Sequence, residues 1–494
     1  MHYISTRDNK EKITCSQAII KGISNSGGLY VPNEFPNIED DLINLINSTY
    51  SELAYFILSK FLSDFTENEI RLCIKNSYDT KFSNGDVSFL KKVENSFFLE
   101  LYHGPTLAFK DMALTIMPHL LQTSIKKNNL NKEILILTAT SGDTGKAALE
   151  GFKDIENIKI IVFFPEDGVS PIQKLQMKTQ EGKNTCVVGI NGNFDDAQSA
   201  VKNIFADKDF NKLLDNNNYL LSSANSINIG RLLPQIIYYF HSYLKLIKDG
   251  EIKLFDKINF VVPTGNFGNI LAGYYAKQMG LPVNKLICAS NDNNILYDFF
   301  TTGEYNKNRN LKLTTSPSMD ILISSNLERL LFEISDRNSD IVSKLLDKLN
   351  TKGRYEIPEY MKANLNCFYS EFSNEKEVEF TINKIYKNFN YLIDTHTAVA
   401  YNCYEKYKND TLDNTKTVIV STASPFKFSR DVLESITNTS YPTLNDFEIL
   451  NKLSEVTNID IPSPIKNLNK KEVVHNNLFE KDELKVAIKN FLKV

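Results

Sequence analysis

The stretch His103-Gly104-Pro105-Thr106-Leu107-Ala108-Phe109-Lys110-Asp111 places a lysine among Leu, Ala and Phe, directly before a segment with the apolar pattern of a buried helix. Burial disfavours the charged ammonium, and a neutral amine can form a Schiff base with a carbonyl group. The alternative is a surface lysine paired with Asp111, and taken alone the stretch favours that alternative. The segments around it decide between the two.

Short apolar segments alternate with helical ones through most of the chain. Strands are predicted at 97–101, 134–138, 159–164, 186–190, 258–262 and 417–420, and helices at 113–124, 146–152, 194–205 and 269–279. This alternation predicts an α/β fold with largely parallel sheets. Residues 1 to about 95 differ, because apolar residues at three- and four-residue spacings over 43–61 and 69–74 predict a mainly helical region.

Two of the predicted strand-to-helix turns have the composition of an anion site. Thr138–Gly145 reads TATSGDTG, and its hydroxyls and backbone amides at a helix start suit a carboxylate or a phosphate. Helix capping explains one or two of these residues, but five polar or glycine positions in a row favour a function. Pro263–Gly268 reads PTGNFG, which matches neither a Walker A motif nor a G-x-G-x-x-G fingerprint. By itself this second turn favours an ordinary tight turn.

Composition excludes several classes of protein. Among 494 residues, 42% are hydrophobic and 23% are charged, so disorder, collagen and coiled coil do not fit. The net charge of −4 gives no reason to expect a nucleic-acid or anionic-membrane partner. We expect a soluble, cytoplasmic, multidomain protein, since apolar stretches fall far short of the roughly 18 residues of a membrane span. Six dispersed cysteines predict reduced thiols, and six scattered histidines give little support to a metal site.

The motifs HGPTLAFKD, TATSGDTG, VPTGNFGN and STASP, in this order, resemble those of the threonine synthases, which depend on pyridoxal 5'-phosphate. Further matching stretches extend the resemblance to nearly the whole chain: YISTR (Tyr3–Arg7), SGGLYVP (Ser26–Pro32), FPEDGVSPIQKLQM (Phe164–Met177), GINGNFDDAQ (Gly189–Gln198), SINIGRLLPQ (Ser226–Gln235) and PSMDILISSNLERLLF (Pro317–Phe332). The resemblance is strongest to the longer class of these enzymes, which carries an N-terminal helical domain.

The resemblance implies a fold and a domain division. The fold is the α/β, type II fold of pyridoxal-phosphate enzymes, similar to the tryptophan synthase β subunit, with two open-sheet α/β lobes and an N-terminal mainly helical domain. The implied domains are residues 1–97 for the helical domain, 98–130 with 225–494 for the large cofactor-binding domain, and 131–224 for the small domain. It is compatible with a monomer or a weak dimer.

The resemblance also implies the site residues. Lys110 corresponds to the catalytic lysine that holds the cofactor as a Schiff base. Cofactor contacts are implied for Gly265, Asn266, Phe267, Asn269 and Thr422, and substrate contacts for Ser141, Asp143, Thr144, Asn225, Ser226 and Arg231. Thr422 would place a neutral hydroxyl at the pyridine nitrogen, which does not favour a protonated ring. Arg231 suits a phosphate, although it could equally cap a helix or pair with a carboxylate.

Some positions depart from the family pattern. Ser424 and Phe426 stand where the family usually has histidine and alanine, which alters the expected pocket wall. Thr395 stands where a proline is common, and the neighbouring His396 is interpreted as a structural or capping residue. Lys146 replaces a small residue, and no role is assigned to it.

The expected reaction converts O-phospho-L-homoserine and water to L-threonine and phosphate, the last step of threonine biosynthesis. A related alternative is a phospho-amino-acid lyase that releases a keto acid, ammonia and phosphate, and the motifs do not separate the two. A third hypothesis, a phosphate-binding module without covalent chemistry, leaves Lys110 and Thr422 unexplained.

Overall fold

The computed structural model describes residues 1–82, 87–140, 142–167, 169–192 and 194–494. The strands are β1 (Tyr3–Ser5), β2 (Asp8–Ile13), β3 (Tyr30–Pro32), β4 (Phe89–Val93), β5 (Ser96–Glu100), β6 (Glu133–Ala139), β7 (Ile158–Pro165), β8 (Thr185–Asn191), β9 (Tyr219–Ser222), β10 (Ile258–Pro263), β11 (Val283–Ser290), β12 (Glu304–Asn306), β13 (Arg354–Glu356), β14 (Phe368–Phe372), β15 (Thr417–Ser421) and β16 (Asn477–Glu480). The helices are α1 (Cys15–Lys21), α2 (Leu42–Leu45), α3 (Tyr50–Phe61), α4 (Glu67–Lys81), α5 (Asp111–Leu114), α6 (Met117–Lys127), α7 (Asp143–Phe152), α8 (Pro171–Lys178), α9 (Phe194–Ala206), α10 (Lys208–Asn216), α11 (Ile229–Lys248), α12 (Gly268–Gln278), α13 (Ile295–Thr302), α14 (Leu327–Ile334), α15 (Ser339–Lys352), α16 (Glu359–Ala363), α17 (Glu375–Phe389), α18 (Thr395–Thr411), α19 (Ser429–Thr437), α20 (Asp446–Thr457) and α21 (Leu484–Leu492).

Two open sheets organise the molecule. The larger has the strand order β14-β11-β10-β15-β5-β4 and is parallel except for the antiparallel edge strand β4. The smaller has the order β16-β8-β7-β6-β9 and is parallel throughout. Two parallel sheets linked by helices confirm the predicted α/β class with two open-sheet lobes.

Alternation along the strands divides the core. In β10, Phe260 packs into a cluster with helices α11 and α12, whereas its neighbour Val261 packs with α18 on the opposite face. In β6 of the smaller sheet, Ile136 joins the first of these clusters, and Leu137 faces a separate one. Successive side chains of a strand point to opposite faces, so each central strand must be apolar throughout to be covered on both sides.

The N-terminal region is mainly helical, as predicted, and its helices carry strong start signals. Thr49 and Thr66 form capping boxes with Glu52 and Glu69, which begin α3 and α4. The structure differs from the sequence prediction in two places. The helix predicted over 113–124 is two helices, α5 and α6, and the helical stretch 43–61 is interrupted between α2 and α3.

The division into three domains stays a prediction, and two strand pairings cross its boundaries. Strand β16 pairs with β8 in the smaller sheet, although the division assigns residues 225–494 to the large domain. Strand β4 pairs with β5 in the larger sheet, although the division assigns residues up to 97 to the helical domain. In the described residues no helix is both long enough and apolar enough to cross a membrane.

Candidate active site

Lys110 lies where two neighbouring strands of the larger sheet end. The segment after β5 runs beside the segment after β15, since Phe109 N–H donates to the Thr422 carbonyl (2.8 Å) and Ser424 N–H donates to the Leu107 carbonyl (3.1 Å). Two predicted site residues, Lys110 and Thr422, are therefore held next to each other. The carboxyl ends of parallel strands are where ligands bind in open α/β sheets.

The amine of Lys110 is buried, with 9% of the residue exposed. Burial lowers its pKa to about 8, an effect that Asp143 partly opposes and that the charges of Lys427 and Arg231 reinforce. The structure does not support the alternative of a surface lysine paired with Asp111. The carboxylate of Asp111 is itself buried and accepts hydrogen bonds from the Thr106 N–H (2.8 Å) and hydroxyl (2.5 Å).

Asp143, in the first turn of α7, lies between two buried lysines. Its Oδ2 is 3.8 Å from Lys110 Nζ, and its Oδ1 forms an ion pair with Lys427 and accepts from Gln173 Nε2 (2.9 Å). Burial alone would raise the pKa of Asp143, but Lys427 and Lys110 hold it well below its usual value. Its neighbour Thr144 lies in the same turn, and Ser141 falls outside the described residues.

Only glycine fits at the start of this turn. Gly142 has φ +137°, and a Cβ there would lie 2.6 Å from the side-chain amide of Gln173. Both facts exclude other residues, because L side chains rarely adopt this φ and no Cβ can come so close. The chain can thus bring Asp143 against Gln173 only with glycine at position 142.

The β10–α12 turn is a tight loop, and the buried side-chain amide of Asn269 follows it. Phe267 has the left-handed φ of +65°, and a Cβ on Gly265 would lie 2.6 Å from the Ser318 carbonyl oxygen. Asn269 accepts from the hydroxyls of Tyr238 (2.7 Å) and Tyr239 (2.8 Å), while its own Nδ2 finds no hydrogen-bond partner among the described residues. A buried donor without a partner, beside a helix N-terminus, is suited to an anion.

The loop that carries Asn225, Ser226 and Arg231 adjoins this turn. Ser226 Oγ lies 3.4 Å from Ser325 Oγ, and Ser325 donates to Asn266 Oδ1 (3.2 Å). Asn225 lies in the turn before α11, where its carbonyl accepts from a backbone N–H. The structure thus brings the predicted substrate loop and the predicted cofactor loop together.

Arg231 is 4% exposed and lies within the first turn of α11. Its Nη1 donates to the Ala224 carbonyl (3.0 Å), and its Nε has no partner in the described part of the chain. Burial lowers the pKa of its guanidinium to about 10. No carboxylate of the described residues pairs with it, so the alternative of an internal ion pair is not supported. An anionic ligand would satisfy the remaining donor.

These features fit pyridoxal phosphate. The cofactor needs a lysine that can be neutral, donors for its phosphate and a contact for its ring nitrogen. Lys110 supplies the first. The β10–α12 turn, with its unsatisfied Asn269 amide, supplies the second, and Thr422 next to the Lys110 segment is placed for the third.

The sequence patterns do not identify two residues of this cluster, Lys427 and Gln173. Gln173 lies within the stretch Phe164–Met177 and Lys427 directly follows Phe426, but neither has a predicted role. Lys427 is buried between Phe426 and Phe428, and its Nζ also donates to the Thr106 carbonyl (3.0 Å). A lysine flanked by two phenylalanines shortly after the Thr422 strand end is the signal that could have identified it.

Arg329 was missed as well. It is fully buried, and its guanidinium donates to the Tyr30 carbonyl (3.0 Å), the Ile227 carbonyl (2.6 Å) and the Asn326 side chain. Asn326 in turn donates twice to the Asn266 carbonyl. One side chain therefore joins β3 of the N-terminal region to the loop that carries Asn225 and Ser226 and, through Asn326, to the β10–α12 turn.

The departures from the family pattern lie around the site. Ser424 and Phe426 line a cavity of about 560 Å³, together with Glu100, His103 and Tyr391, and none of the predicted site residues lines it. The effect of these two departures on the substrate pocket stays a prediction.

The two other departures have structural partners. His396 Nδ1 lies 2.9 Å from the Asp394 carboxylate, which caps α18, and its Nε2 lies 3.3 Å from Ser318 N. This agrees with the interpretation of His396 as a structural residue. Lys146 pairs with Glu150 (3.2 Å) and donates to Gln180, so its amine is held away from the Lys110 cluster.

Comparisons with known proteins agree with this arrangement. A family model described as "Threonine synthase N terminus" matches residues 2–78, and one described as "Pyridoxal-phosphate dependent enzyme" matches residues 89–348. The threonine synthase of Schizosaccharomyces pombe is 37% identical over 465 residues, which cover 87% of this chain and 88% of that protein. Threonine synthase-like 1 of Homo sapiens is 38% identical over 455 residues, and this chain spans only 60% of its length.

Solved structures show the same likeness. The structure of pyridoxal-phosphate-bound threonine synthase from Brucella melitensis is 34% identical and superimposes with a TM-score of 0.87 over 100% of this chain and 99% of that one. Threonine synthase from yeast is 32% identical, with a TM-score of 0.88 over the same shares. These matches confirm the expected type II fold. The chain therefore belongs to the threonine synthase family of pyridoxal-phosphate-dependent enzymes.

Proposed function

We propose that the chain converts O-phospho-L-homoserine and water to L-threonine and phosphate. The observation that carries the proposal is the cluster around Lys110, a buried amine whose pKa is lowered to about 8. An amine with that pKa exchanges protons readily near neutral pH, which the successive proton transfers of this reaction require.

The residues of the site have different roles. Lys110 removes and returns protons at the substrate carbons, and its burial beside Asp143 keeps it within reach of them. Arg231, with its unsatisfied buried Nε, binds the phosphate of the substrate, and Asn225 and Ser226 add donors from the same loop. Asp143 and Thr144 face the substrate carboxylate and the cofactor hydroxyl, and we propose the same role for Ser141, which lies outside the described residues.

Pyridoxal phosphate, when bound, supplies the electron sink that makes the substrate Cα and Cβ protons acidic. The residues that hold it are Lys110, Gly265, Asn266, Phe267, Asn269 and Thr422. Asn269 offers its unsatisfied Nδ2 to the cofactor phosphate, and α12 offers its first backbone amides. Thr422 would offer a neutral hydroxyl to the ring nitrogen.

The phospho-lyase activity is the competing function. The motifs of the chain do not separate the two sets of products. Both reactions require Lys110 and the glycine loop.

The experiment is to incubate the enzyme, loaded with pyridoxal phosphate, with O-phospho-L-homoserine and to quantify threonine, phosphate and keto acid together. Equal amounts of threonine and phosphate support the synthase. Phosphate with keto acid and ammonia supports the lyase, and the absence of all products contradicts both. For the variant Lys110→Ala, the matched control is Lys153→Ala. Lys153 is a surface lysine paired with Glu181, and its replacement should keep wild-type rates.

We further propose that the enzyme works in the cytoplasm as a monomer or weak dimer, with the three-domain division given above. All six cysteines are buried and unpaired, which suits a reducing compartment. Sedimentation across a range of protein concentrations would test the oligomeric state, and a stable higher oligomer would contradict it.

A further inference from the structure

We propose that Lys427 is a positioning residue, which holds the Asp143 carboxylate in place and sets the proton affinity of Lys110. The proposal rests on the proposed function, because it concerns the lysine that carries the chemistry. Lys427 contacts the Asp143 carboxylate and the Thr106 carbonyl, and it acts on Lys110 by holding Asp143 and through its own positive charge.

Two lysine amines lie against the carboxylate of Asp143. Lys427 forms an ion pair with Oδ1, and Lys110 Nζ is 3.8 Å from Oδ2. Gln173 Nε2 also donates to Oδ1, at 2.9 Å. Oδ1 therefore has two donors within the protein, and the carboxylate is turned so that Oδ2 faces Lys110. Two fixed donors on one oxygen leave a carboxylate little freedom to rotate.

The side chain of Lys427 is fully buried, and only 3% of the Asp143 side chain is exposed. A charge in such surroundings is tolerated only with a partner, because its desolvation costs several kcal/mol. Lys427 is therefore not an ordinary solvent-exposed lysine. The chain instead directs this amine at one carboxylate and at one backbone carbonyl, that of Thr106.

Thr106 links Lys427 to the Lys110 segment. The N–H and the hydroxyl of Thr106 both donate to Asp111, the residue that follows Lys110. Lys427 thus contacts both sides of the site, α7 through Asp143 and the Lys110 segment through Thr106. Movement of this amine would shift Asp143 relative to Lys110.

The charges of the two lysines and of Asp143 influence one another. With Lys427 and Lys110 protonated, two positive charges surround a single negative charge, so the Asp143 carboxylate stays an anion. The positive charge of Lys427 in turn makes Lys110 easier to deprotonate. If Lys427 were neutral, Asp143 would interact with Lys110 alone and would favour its protonated form.

The test compares four holoenzymes: wild type, Lys427→Met, Lys427→Gln and Lys427→Arg. The readout is the pH midpoint of the visible absorbance band of the cofactor linked to Lys110, recorded beside kcat and KM. Both neutral variants should raise the midpoint by roughly one pH unit, and Lys427→Arg should restore it toward the wild-type value. Lys427→Gln keeps a donor for Thr106, so it serves if Lys427→Met fails to fold.

The outcomes are separable. A wild-type protein with no lysine-linked absorbance, or with no threonine product, would overturn the proposed function. A wild-type protein that behaves as proposed, with neutral variants whose midpoint does not move, would overturn the role of Lys427 alone. A lower midpoint would overturn the expected charge effect, because it would mean that the displacement of Asp143 outweighs the loss of the positive charge. A purely structural lysine would lower stability and kcat in the neutral variants without moving the midpoint.

Discussion

Replacing Asp143 with asparagine removes the negative charge that lies 3.8 Å from the Lys110 amine and leaves the shape of the side chain nearly unchanged. In the wild-type apoenzyme the pKa of Lys110 is about 8, because the attraction of Asp143 offsets part of the cost of burial. Without that attraction the pKa should fall, since burial and the positive charges of Lys427 and Arg231 all disfavour the ammonium.

The size of the fall follows from the distance. Two unit charges 3.8 Å apart interact with about 4 kcal/mol at an effective dielectric constant of about 20, which corresponds to about 3 pKa units. This is an upper value, because the amide oxygen of asparagine keeps a dipole that still attracts the ammonium. The expected fall is roughly one to two units.

The assay is competitive labelling of the apoenzyme with a limiting amine reagent, with Lys110 modification quantified by mass spectrometry from pH 5 to about pH 10. The control is Asp249→Asn, at an ion pair with Lys245 in which both side chains are about two-fifths exposed. That variant should leave the Lys110 titration unchanged. Circular dichroism checks that each variant is folded at every pH used.

A Lys110 pKa in Asp143→Asn that equals or exceeds the wild-type value would refute the reasoning. It would mean that Asp143 does not govern the protonation of Lys110, whatever the distance between them. An equal fall in Asp249→Asn would refute it too, because the effect would then be one of overall charge.

Other predictions follow from the same structure. Lys110→Ala should abolish threonine formation and the borohydride-fixed label on the protein, measured by product analysis and mass spectrometry. The rate at which the wild-type apoenzyme takes up pyridoxal phosphate should rise about tenfold per pH unit below pH 8 and level off above it, because only the neutral amine reacts and its pKa is about 8; a rate that falls as pH rises would contradict this. Gly265→Ala should weaken cofactor binding by about tenfold or more, since its Cβ would lie 2.6 Å from the Ser318 oxygen, and equilibrium dialysis measures this. Arg329→Met should lower the free energy of unfolding by about 3 kcal/mol in a urea titration and raise KM, because three buried acceptors lose their donor.

Local sequence patterns predict most of the strands and helices. Apolar runs such as 258–262, followed by a glycine-rich turn, predict a strand and a helix start, since backbone conformation depends on nearby residues. Taken alone, local signals favoured a function only for the turn at 138–145, and the resemblance to a family implied the roles of Lys110 and of the turn at 263–268. Their grouping into one site was implied only by the resemblance to a family. The interrupted helices near 46–49 and 115–116 were missed, because the apolar spacing continues across both breaks.

Contacts between residues that are distant in the chain depend on the tertiary structure. Lys427 follows β15 of the larger sheet, whereas Asp143 begins α7 after β6 of the smaller sheet, and no spacing rule relates them; they meet where these two segments pack together. Arg329 likewise reaches Tyr30 across the N-terminal region, and β16 joins the smaller sheet from the end of the chain. Such contacts depend on how whole elements pack, and the energy of a buried charge depends on its partner. The proton affinity of Lys110 is therefore a property of the folded molecule.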